Sequence, residues 1–530
     1  RDCLLSRGLG DVYKRQKRKE AMKPQPKSAI VIGAGVAGMA TAALLAREGI
    51  DTTVVEKLPT YGGRAGNETV DGFRFDTGPS WYLMPDAFDH FFGLFGKRTE
   101  DLLNLQPLAP AYRLFPETGE PIDVHSGRDN AAKLFEQLEP GAGAKLLEYL
   151  DSAEETYDLA IQNFLYTNFR SLEPLKRIRG QYTRLARCLT EPLDRFVAKR
   201  FTDTRLRQML TYPSVFLSSH PSRTPSMYHL LSHTDLTQGV LYPQGGFAAV
   251  MDALYALAVE HGARFRFNSE VAAIEDRGVM LIDGQRLPAD LTISAADLHH
   301  TETRLLPKSK RTYDESWFAP RDPGLGTVLV MLGVEGEIPG LAHHNFLFSD
   351  DWSDDFDAVF NGPVASRPLG ASQSIYVSKP SATDPSVAPA GHENLFVLVP
   401  VPADPSVGHG DMYRGEASEQ VQRIADAAIE QIASRCGVAG LGRRIVVKQT
   451  LGPADFAERY HAWSGGSIGP AHTLRQSAFL RGSNTSRKVE SLMYAGATTT
   501  PGVGVPMCLI SAENVLKRVR GDRSSGPLDR

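Results

Sequence analysis

The feature that most constrains the fold is a glycine-rich turn between an apolar strand and a helix. Ser28–Ile32 is apolar and strand-sized, the turn Gly33-Ala34-Gly35-Val36-Ala37-Gly38 follows, and an Ala- and Leu-rich helix ends near Gly49. Residues 52–55 predict a second strand, with Glu56 at its end. Because strand, turn, helix and strand come in this order, the sequence predicts an α/β fold built on a parallel, Rossmann-like sheet.

Each residue type in this turn has a physical reason to bind a dinucleotide. Gly33 permits the tight turn, Gly35 lets the main chain approach a pyrophosphate, and Gly38 lets the helix pack closely on the strand. Glu56 follows the turn by about 20 residues, where a carboxylate binds an unphosphorylated ribose. The helix N-terminus faces the phosphates. The predicted contacts in the turn are Gly33, Gly35, Val36, Ala37 and Gly38.

The residues after Glu56 decide between NAD and FAD. Lys57 follows directly, and Tyr61-Gly62-Gly63-Arg64-Ala65 comes shortly afterwards. From Gly33 to Arg64 the chain resembles the FAD-containing amine oxidase and carotenoid desaturase superfamily, whose signature runs GxGxxG, acid, GGR. The resemblance implies FAD, with Lys57, Gly63 and Arg64 near the phosphates and flavin. Phe75-Asp76-Thr77-Gly78-Pro79-Ser80 resembles the FDxGP loop that follows, which implies flavin contacts at Gly78 and Pro79.

A second strand-turn-helix pattern near the C-terminus predicts the distant half of the same site. Residues 492–497 read as a strand, 498–506 as a glycine-rich turn and 507–519 as a helix, whose N-terminus would favour a reduced, anionic flavin. The turn is similar to the superfamily's terminal motif, which implies contacts at Gly496, Gly504, Val505 and Pro506. Amine oxidases proper carry an acid where Ala497 stands. Cys508 lacks the SGGC-like setting of covalent attachment, so we expect non-covalent FAD.

A third block lies mid-chain. Pro243-Gln244-Gly245-Gly246 precedes an apolar helix and a strand ending at Val271. It resembles the superfamily's P-x-GG block, whose strand implies a main-chain contact of Val271 with the adenosine. Gly245 and Gly246 either contact the cofactor or only form the helix entry.

Further segments narrow the resemblance to bacterial-type phytoene desaturases. They are residues 225–233 (S-x-Y-x-L-x-H), 381–391 (S-x-x-D-P with A-P-x-G) and 466–476 (G-x-x-x-G-x-x-H-x-L-x-Q), in the expected order. The near full-length resemblance implies FAD-dependent desaturation of a linear C40 carotene such as phytoene. The alternatives are another enzyme of the superfamily, such as a carotenoid isomerase, ketolase or amine oxidase, and a non-enzymatic prenyl-binding protein like the Rab GDP dissociation inhibitors.

Catalytic groups are less clearly marked than the cofactor site. The family's acid/base segment resembles residues 168–171 and nominates Arg170, although the neighbouring aspartate of the family is missing here. His233 and His472 are alternative polar groups. His229 and His233 have the i, i+4 spacing of zinc ligands, but the HExxH glutamate is absent, so we predict no metal site.

A basic segment raises the question of membranes. Between residues 176 and 207 there are ten basic and three acidic residues. Leu175, Ile178, Tyr182, Leu185 and Leu189 form one apolar helical stripe in the same region. Either this is a helix on an anionic membrane surface, or its stripe faces the core. The first reading predicts a cytoplasmic protein peripherally bound to the inner face of the bacterial cell membrane, passing electrons to a quinone or oxygen.

Composition excludes several other classes. The net charge of −4 argues against nucleic-acid binding, no apolar run approaches the ~20 residues of a membrane span, and the four cysteines are far apart. We expect Met22 to be the natural start and residues 1–21 to be a non-native extension. The expected FAD-binding domain joins residues 22–115, 241–310 and 445–520. Residues 116–240 and 311–444 form the inserted substrate-binding and membrane-facing region, and 521–530 a flexible tail.

Overall fold

The computed structural model describes residues 25–168, 180 and 182–530. Over these residues the strands are β1 (Ser28–Ile32), β2 (Asp51–Val55), β3 (Asn67–Val70), β4 (Phe73–Asp76), β5 (Leu105–Pro107), β6 (Tyr112–Phe115), β7 (Ile122–Val124), β8 (Leu241–Pro243), β9 (Arg264–Arg266), β10 (Val271–Glu275), β11 (Gly278–Leu281), β12 (Arg286–Leu287), β13 (Leu291–Ser294), β14 (Leu325–Glu335), β15 (His344–Leu347), β16 (Ile375–Ser378), β17 (His392–Pro402), β18 (Ile445–Leu451) and β19 (Leu492–Tyr494).

The α-helices over the same residues follow in chain order. They are α1 (Val36–Arg47), α2 (Pro85–Gly93), α3 (Thr99–Leu102), α4 (Arg128–Leu138), α5 (Ala142–Ala160), α6 (Tyr182–Thr190), α7 (Leu193–Ala198), α8 (Thr204–Thr211), α9 (Pro213–Phe216), α10 (Phe247–Glu260), α11 (Leu298–His300), α12 (Glu315–Phe318), α13 (Trp352–Phe360), α14 (Glu419–Arg435), α15 (Leu441–Arg444), α16 (Pro453–Tyr460) and α17 (Val505–Arg520). Short π-helical turns cover Ile161–Leu165, His233–Gln238 and Thr301–Leu305.

A five-stranded parallel sheet forms the first layer, in the order β19-β13-β1-β2-β9. Its central strand β1 is apolar and almost fully buried, as a parallel strand covered on both faces must be. Helices α1, α10 and α17 share one apolar core with this sheet. The predicted α/β class is therefore confirmed, and the sheet gathers strands from three distant stretches of the chain.

A second, seven-stranded sheet has the order β18-β14-β17-β16-β15-β6-β7. Its long strand β14 is buried along nearly its whole length because both of its faces are covered. Val328 and Val330 pack in one core with α14, whereas Leu329 and Met331 belong to the core on the opposite face. This alternation follows from the two-residue period of a strand. The face that carries Leu329 is turned toward the cavity described below.

The two sheets do not follow the expected segment boundaries throughout. Strand β6 and strand β18 fall inside the segments assigned from sequence to the FAD-binding domain, yet both pair within the seven-stranded sheet. A short strand has no periodic signal that tells which sheet it will join, so its partner is decided by tertiary packing.

The end of the chain lies against α17, a helix that packs on the five-stranded sheet. Lys517, fully buried in that helix, donates from Nζ to the main-chain oxygens of Tyr166 at 2.7 Å and Ser524 at 3.3 Å. Glu513 accepts from the Leu528 main-chain N–H at 2.7 Å. These contacts hold residues 521–530 on the protein surface. Among the described residues, no helix is both long and apolar enough to cross a membrane.

Candidate functional site

The glycine-rich turn adopts a main-chain shape that larger residues would block. Gly33 has a φ of +98°, and a Cβ added to Gly38 would collide with the Gly33 carbonyl oxygen. Gly62 donates from its main-chain N–H to the Ala34 oxygen at 2.9 Å, so the GGR segment packs directly on the turn. A Cβ on Gly63 would lie 3.2 Å from the Gly35 Cα. The two motifs therefore form one cradle of bare main chain.

The first turn of α1 opens into this cradle. Its N-cap residue is Gly35, and no side chain caps the helix. The main-chain N–H groups at a helix N-terminus lack intrahelical partners and attract anions. Gly33, Gly35, Val36 and Ala37 line the cavity, while Gly38 lies behind them, where it lets the helix pack closely on the turn.

Glu56 lies at the end of β2 and faces the same cavity. The side chain is 8% exposed and accepts from the Ala34 N–H at 2.6 Å and the Leu58 N–H at 2.8 Å. Burial raises the pKa of this carboxyl, and the main-chain donors oppose that shift. Each carboxylate oxygen keeps a further lone pair, so Glu56 can still accept hydrogen bonds from a ribose. Lys57, Ser269 and Val271 line the cavity beside it.

Arg64 and the FDxGP loop continue the wall. Arg64 donates from Nη1 to the Ile468 main-chain oxygen at 3.1 Å, which connects GGR to the 466–476 segment. A Cβ on Gly78 would collide with the Arg64 carbonyl oxygen, so this loop too requires a glycine. Gly78, Pro79 and Ser80 line the cavity.

Asp76 is a supporting residue that its motif alone does not explain. It accepts from the Phe247 N–H at 2.8 Å and the Ala248 N–H at 3.3 Å, so it caps α10. Burial raises the pKa of Asp76 to about 6. Gly245 and Gly246 do not line the cavity. Gly246 makes room for this cap, because a Cβ there would collide with the Asp76 carboxylate, and the Gly245 N–H donates to Asp384 at 2.7 Å. Of the two alternatives for Gly245 and Gly246, the structure therefore favours the helix entry over direct contact with the cofactor.

The C-terminal loop closes the part of the cavity that contains the glycine-rich turn, which we call the cofactor half. Gly496, Ala497, Val503, Gly504, Val505, Pro506 and Cys508 all line it. The loop is held by buried Arg481, which donates to the main-chain oxygens of Ala497 at 2.7 Å and Thr499 at 3.1 Å. Asn484 holds it from the other side through the Thr500 oxygen at 3.0 Å. Arg481 and Asn484 were missed from the sequence, because polar residues in an irregular segment carry no periodic signal.

His472 supports the same loop, and its ring is saturated with hydrogen bonds. Nε2 accepts from the Val503 N–H at 3.2 Å, and Nδ1 lies 2.7 Å from the Tyr228 hydroxyl. Since Nε2 accepts, Nδ1 carries the proton and donates to Tyr228, which in turn donates to Ser477. Burial places the pKa of His472 well below its usual range. His472 lines the cavity as a neutral, fixed ring.

The other catalytic nominees lie elsewhere. His233 is buried, does not line the cavity and packs on the Tyr157 ring at 5.1 Å. His229 bonds to the Ser226 oxygen and to Ser152. Arg170, Leu175 and Ile178 lie outside the described residues. Tyr182, Leu185 and Leu189 fall on α6, and Leu189 lines the cavity. Within the described part of the chain, no cluster of three or more His, Cys, Asp or Glu side chains is arranged to hold a metal ion.

The same cavity extends into an apolar half. The volume of the whole cavity is about 720 Å³, in the upper range of ligand cavities. The floor comes from the seven-stranded sheet and the walls from the helical region. The lining apolar side chains are Trp81, Leu83, Met84, Leu159, Ala160, Phe164, Leu165, Leu189, Phe216, Leu217, Met227, Leu230, Leu231, Leu329, Phe396, Leu398, Phe456 and Phe479. A bare main-chain cradle with a buried carboxylate suits a dinucleotide, and the apolar half suits a hydrocarbon.

Comparison with known proteins agrees with this division. Residues 36–332 match the family described as flavin containing amine oxidoreductase. The chain is 40% identical to the carotenoid 3,4-desaturase of Haloarcula japonica, covering 93% of this chain and 98% of that protein. It is 33% identical to the zeta-carotene-forming phytoene desaturase of Myxococcus xanthus, covering 93% and 94%.

Solved structures share the fold at low sequence identity. An oxidoreductase from Methanosarcina mazei has a TM-score of 0.61 at 17% identity, over 92% of this chain and 100% of that one. A putrescine oxidase triple mutant has a TM-score of 0.58 at 15% identity, over 93% and 99%. These similarities concern the fold alone. Taken with the family match, they confirm the prediction of a flavin cofactor: the chain belongs to the flavin-containing amine oxidoreductases and, within them, to the carotenoid desaturase family.

Proposed function

We propose that this protein is an FAD-dependent oxidoreductase that desaturates a linear C40 carotene in carotenoid biosynthesis. The observation that carries the proposal is the single cavity that runs from the glycine cradle into an apolar half. A polyene offers no charged group for recognition, so its binding depends on the burial of apolar surface away from water. The sequence relatives named above act on such molecules, which supports the same substrate class here.

The residues of the site divide the work. The main chain at Gly33, Gly35 and Gly63 takes the pyrophosphate, and Glu56 takes the ribose. Bound FAD supplies a two-electron hydride acceptor. Arg481 and His472 fix the loop around Val503, while the apolar half orients the polyene and excludes water.

Membrane contact is part of the proposal, because this substrate dissolves in lipid. Six large apolar side chains are strongly exposed among the described residues, and three of them, Leu474, Phe479 and Leu480, fall within one short segment. Phe479 is 59% exposed and also lines the cavity. The segment therefore suits a cavity mouth opening on the inner face of the cell membrane. A quinone in that bilayer, or oxygen, would reoxidise the flavin.

Liposome flotation tests the membrane contact. The wild-type protein should float with anionic liposomes, and Phe479→Ser should float less. Ile282→Ser is the matched control, because Ile282 is 68% exposed but does not line the cavity. Equal flotation of both variants, or none by the wild type, contradicts the contact.

Desaturation is tested by expression in hosts that accumulate phytoene or a more desaturated linear carotene. The expected result is a product with additional conjugated double bonds, seen by pigment analysis. Amines added to the purified holoenzyme should leave the flavin absorption unchanged. Unchanged carotenes in every host, or flavin bleaching by an amine, contradict the proposal.

A further inference from the structure

A chain of hydrogen bonds leads from the cavity wall into the protein interior. The Ser80 hydroxyl lies 2.8 Å from the Tyr376 hydroxyl, which lies 2.7 Å from Nδ1 of His344. Ser80 and Tyr376 line the cavity, and His344 is fully buried behind them. Nε2 of His344 has no hydrogen-bond partner among the described residues. The chain therefore ends on the imidazole.

Its starting point lies between the two halves of the cavity. Ser80 follows Gly78 and Pro79, whose loop packs on the main chain of Arg64. Tyr376, on β16, belongs to the sheet that forms the floor of the apolar half. A hydroxyl at this junction is close to both the cofactor cradle and the place of the hydrocarbon.

His344 is neutral at rest, so its Nδ1 can accept a proton. Burial and the neighbouring His343 keep the pKa of His344 well below its usual range, so the ring holds that proton weakly and returns it readily. The Trp81 ring stacks on it with centroids 4.4 Å apart and planes 12° from parallel. The face of an indole attracts a cation, so Trp81 stabilises the protonated ring when it forms.

Two other polar groups on the cavity wall, His472 and Tyr157, lack this arrangement. Both ring nitrogens of His472 are already engaged. The Tyr157 hydroxyl donates to Asp86, which makes the strongest rival. Tyr157 lies on α5 and Asp86 on α2, so neither belongs to the loop beside Arg64. Among these three arrangements in the described part of the chain, the hydrogen-bond chain that starts at Ser80 lies next to the cofactor cradle.

We propose that Ser80, Tyr376 and His344 form a relay that accepts the proton released when the carotene is desaturated. The inference rests on the proposed function and names groups for a step that function requires. Ser80 and Tyr376 face the cavity, while His344 acts through Tyr376.

Each new double bond requires that two C–H bonds break on adjacent carbons of the carotene. One hydrogen leaves with both bonding electrons to the oxidised flavin, and the other leaves as a proton while its electrons form the second carbon–carbon bond. Ser80 Oγ takes that proton and passes its own to Tyr376 Oη, which passes its own to His344 Nδ1.

The relay is reset when a quinone or oxygen takes the two electrons. Reduction to the hydroquinone or to hydrogen peroxide consumes two protons. One would come from the hydrogen that the flavin received as hydride, and the other returns from His344 along the same path. A weak base suffices for the forward step, because a C–H next to a carbon that is losing hydride is strongly acidic.

The test measures single-turnover product formation by holoenzyme with carotene in liposomes, in H2O and D2O. Tyr376→Phe and Ser80→Ala should each slow product formation by about 100-fold, the lower range for general acid–base groups. Ser80→Thr, which keeps the hydroxyl, should restore most of the rate. The solvent isotope effect of the wild type should vanish in Tyr376→Phe. FAD affinity should stay at the wild-type value, and every variant should remain folded at the assay temperature.

Tyr112→Phe is the matched control. Its ring lies 5.7 Å from Trp81, but Tyr112 does not line the cavity, so this variant should keep the wild-type rate. The relay alone is overturned if the wild type converts carotene and Tyr376→Phe and Ser80→Ala match it, or if the loss appears in Tyr157→Phe instead. A wild-type enzyme that converts no carotene overturns the proposed function and the relay with it.

Discussion

The two halves of the cavity are built in different ways. The cofactor half is made of bare main chain that three short glycine-containing stretches bring together, around Gly33, Gly63 and Gly504. The apolar half is made of side chains from strands and helices spread over much of the chain, each replaceable by another of similar size. Recognition of a phosphate needs a defined main-chain shape, whereas a hydrocarbon needs only a lining without unpaired polar groups.

Breaking the cradle should have the largest effect. Gly35→Asp places a carboxylate against the pyrophosphate position, and the φ of Gly35 allows a side chain, so the loss comes from charge and volume. We expect flavin content below about a tenth of wild type, because a buried like charge costs several kcal/mol. The absorption spectrum of the purified protein measures it.

Gly442→Asp is the control for that change. A Cβ at Gly442 meets nothing within 4 Å. The Gly442→Asp variant should therefore keep its full flavin content. Flavin retained in Gly35→Asp would contradict the assignment of the cradle.

A charge in the apolar half should separate the two functions. Phe216→Asp puts a carboxylate into the lining, and we expect desaturation to fall by more than ~10-fold because the hydrocarbon cannot pair it. Flavin content should stay near wild type. Phe356→Asp, an aromatic position outside the lining, should keep its activity. Equal losses in both variants would mean that the effect is on folding.

The free energy of unfolding should depend on pH through Asp235, which lies in the substrate-binding region. Burial raises the pKa of Asp235 to about 7, from an ordinary value near 4, although Tyr212 donates to it at 2.7 Å. Because the folded state binds this proton more tightly, its stabilising contribution is full below about pH 4 and is lost as the pH rises through 7. A pKa difference of this size between the folded and unfolded states corresponds to roughly 4 kcal/mol in the free energy of unfolding.

Asp235→Asn removes that dependence. Its Tm should fall less than that of the wild type between pH 4.5 and 7.5, while Asp283→Asn, at an exposed position, should follow the wild type. Scanning calorimetry of both variants decides the point. An unchanged slope in Asp235→Asn would assign the pH dependence to other groups.

The smallest effect should come from Cys508. It lines the cofactor half, and burial raises the pKa of its thiol to about 11, so it stays protonated and unreactive at neutral pH. Denaturation should release all the FAD from the wild type and from Cys508→Ala alike. Flavin that stays with the denatured wild-type protein, and not with Cys508→Ala, would show a covalent bond.

The same contrast explains how much the sequence could predict. The sequence nominated Gly33, Glu56, Arg64 and Gly504 because its motifs have fixed residue types at fixed spacings, and all four line the cavity. The α/β class followed from the same motifs.

The supporting side chains were not readable in this way. Asp76, Arg481 and Tyr376 act on segments that are remote in sequence, and nothing in their local pattern shows which main chain or hydroxyl they reach. The partners of β6 and β18 were hidden for the same reason, since pairing between sheets is decided by packing and not by local propensity.

We propose that one cavity holds the cofactor and the carotene in contact. Anaerobic titration of the holoenzyme with phytoene or a more desaturated linear carotene in liposomes tests it most directly. We predict that the flavin absorption bleaches in proportion to the carotene desaturated, with one new double bond for each flavin reduced, in the wild type and not in Phe216→Asp. Flavin that stays oxidised with every carotene, or bleaching without a desaturated product, would contradict the claim.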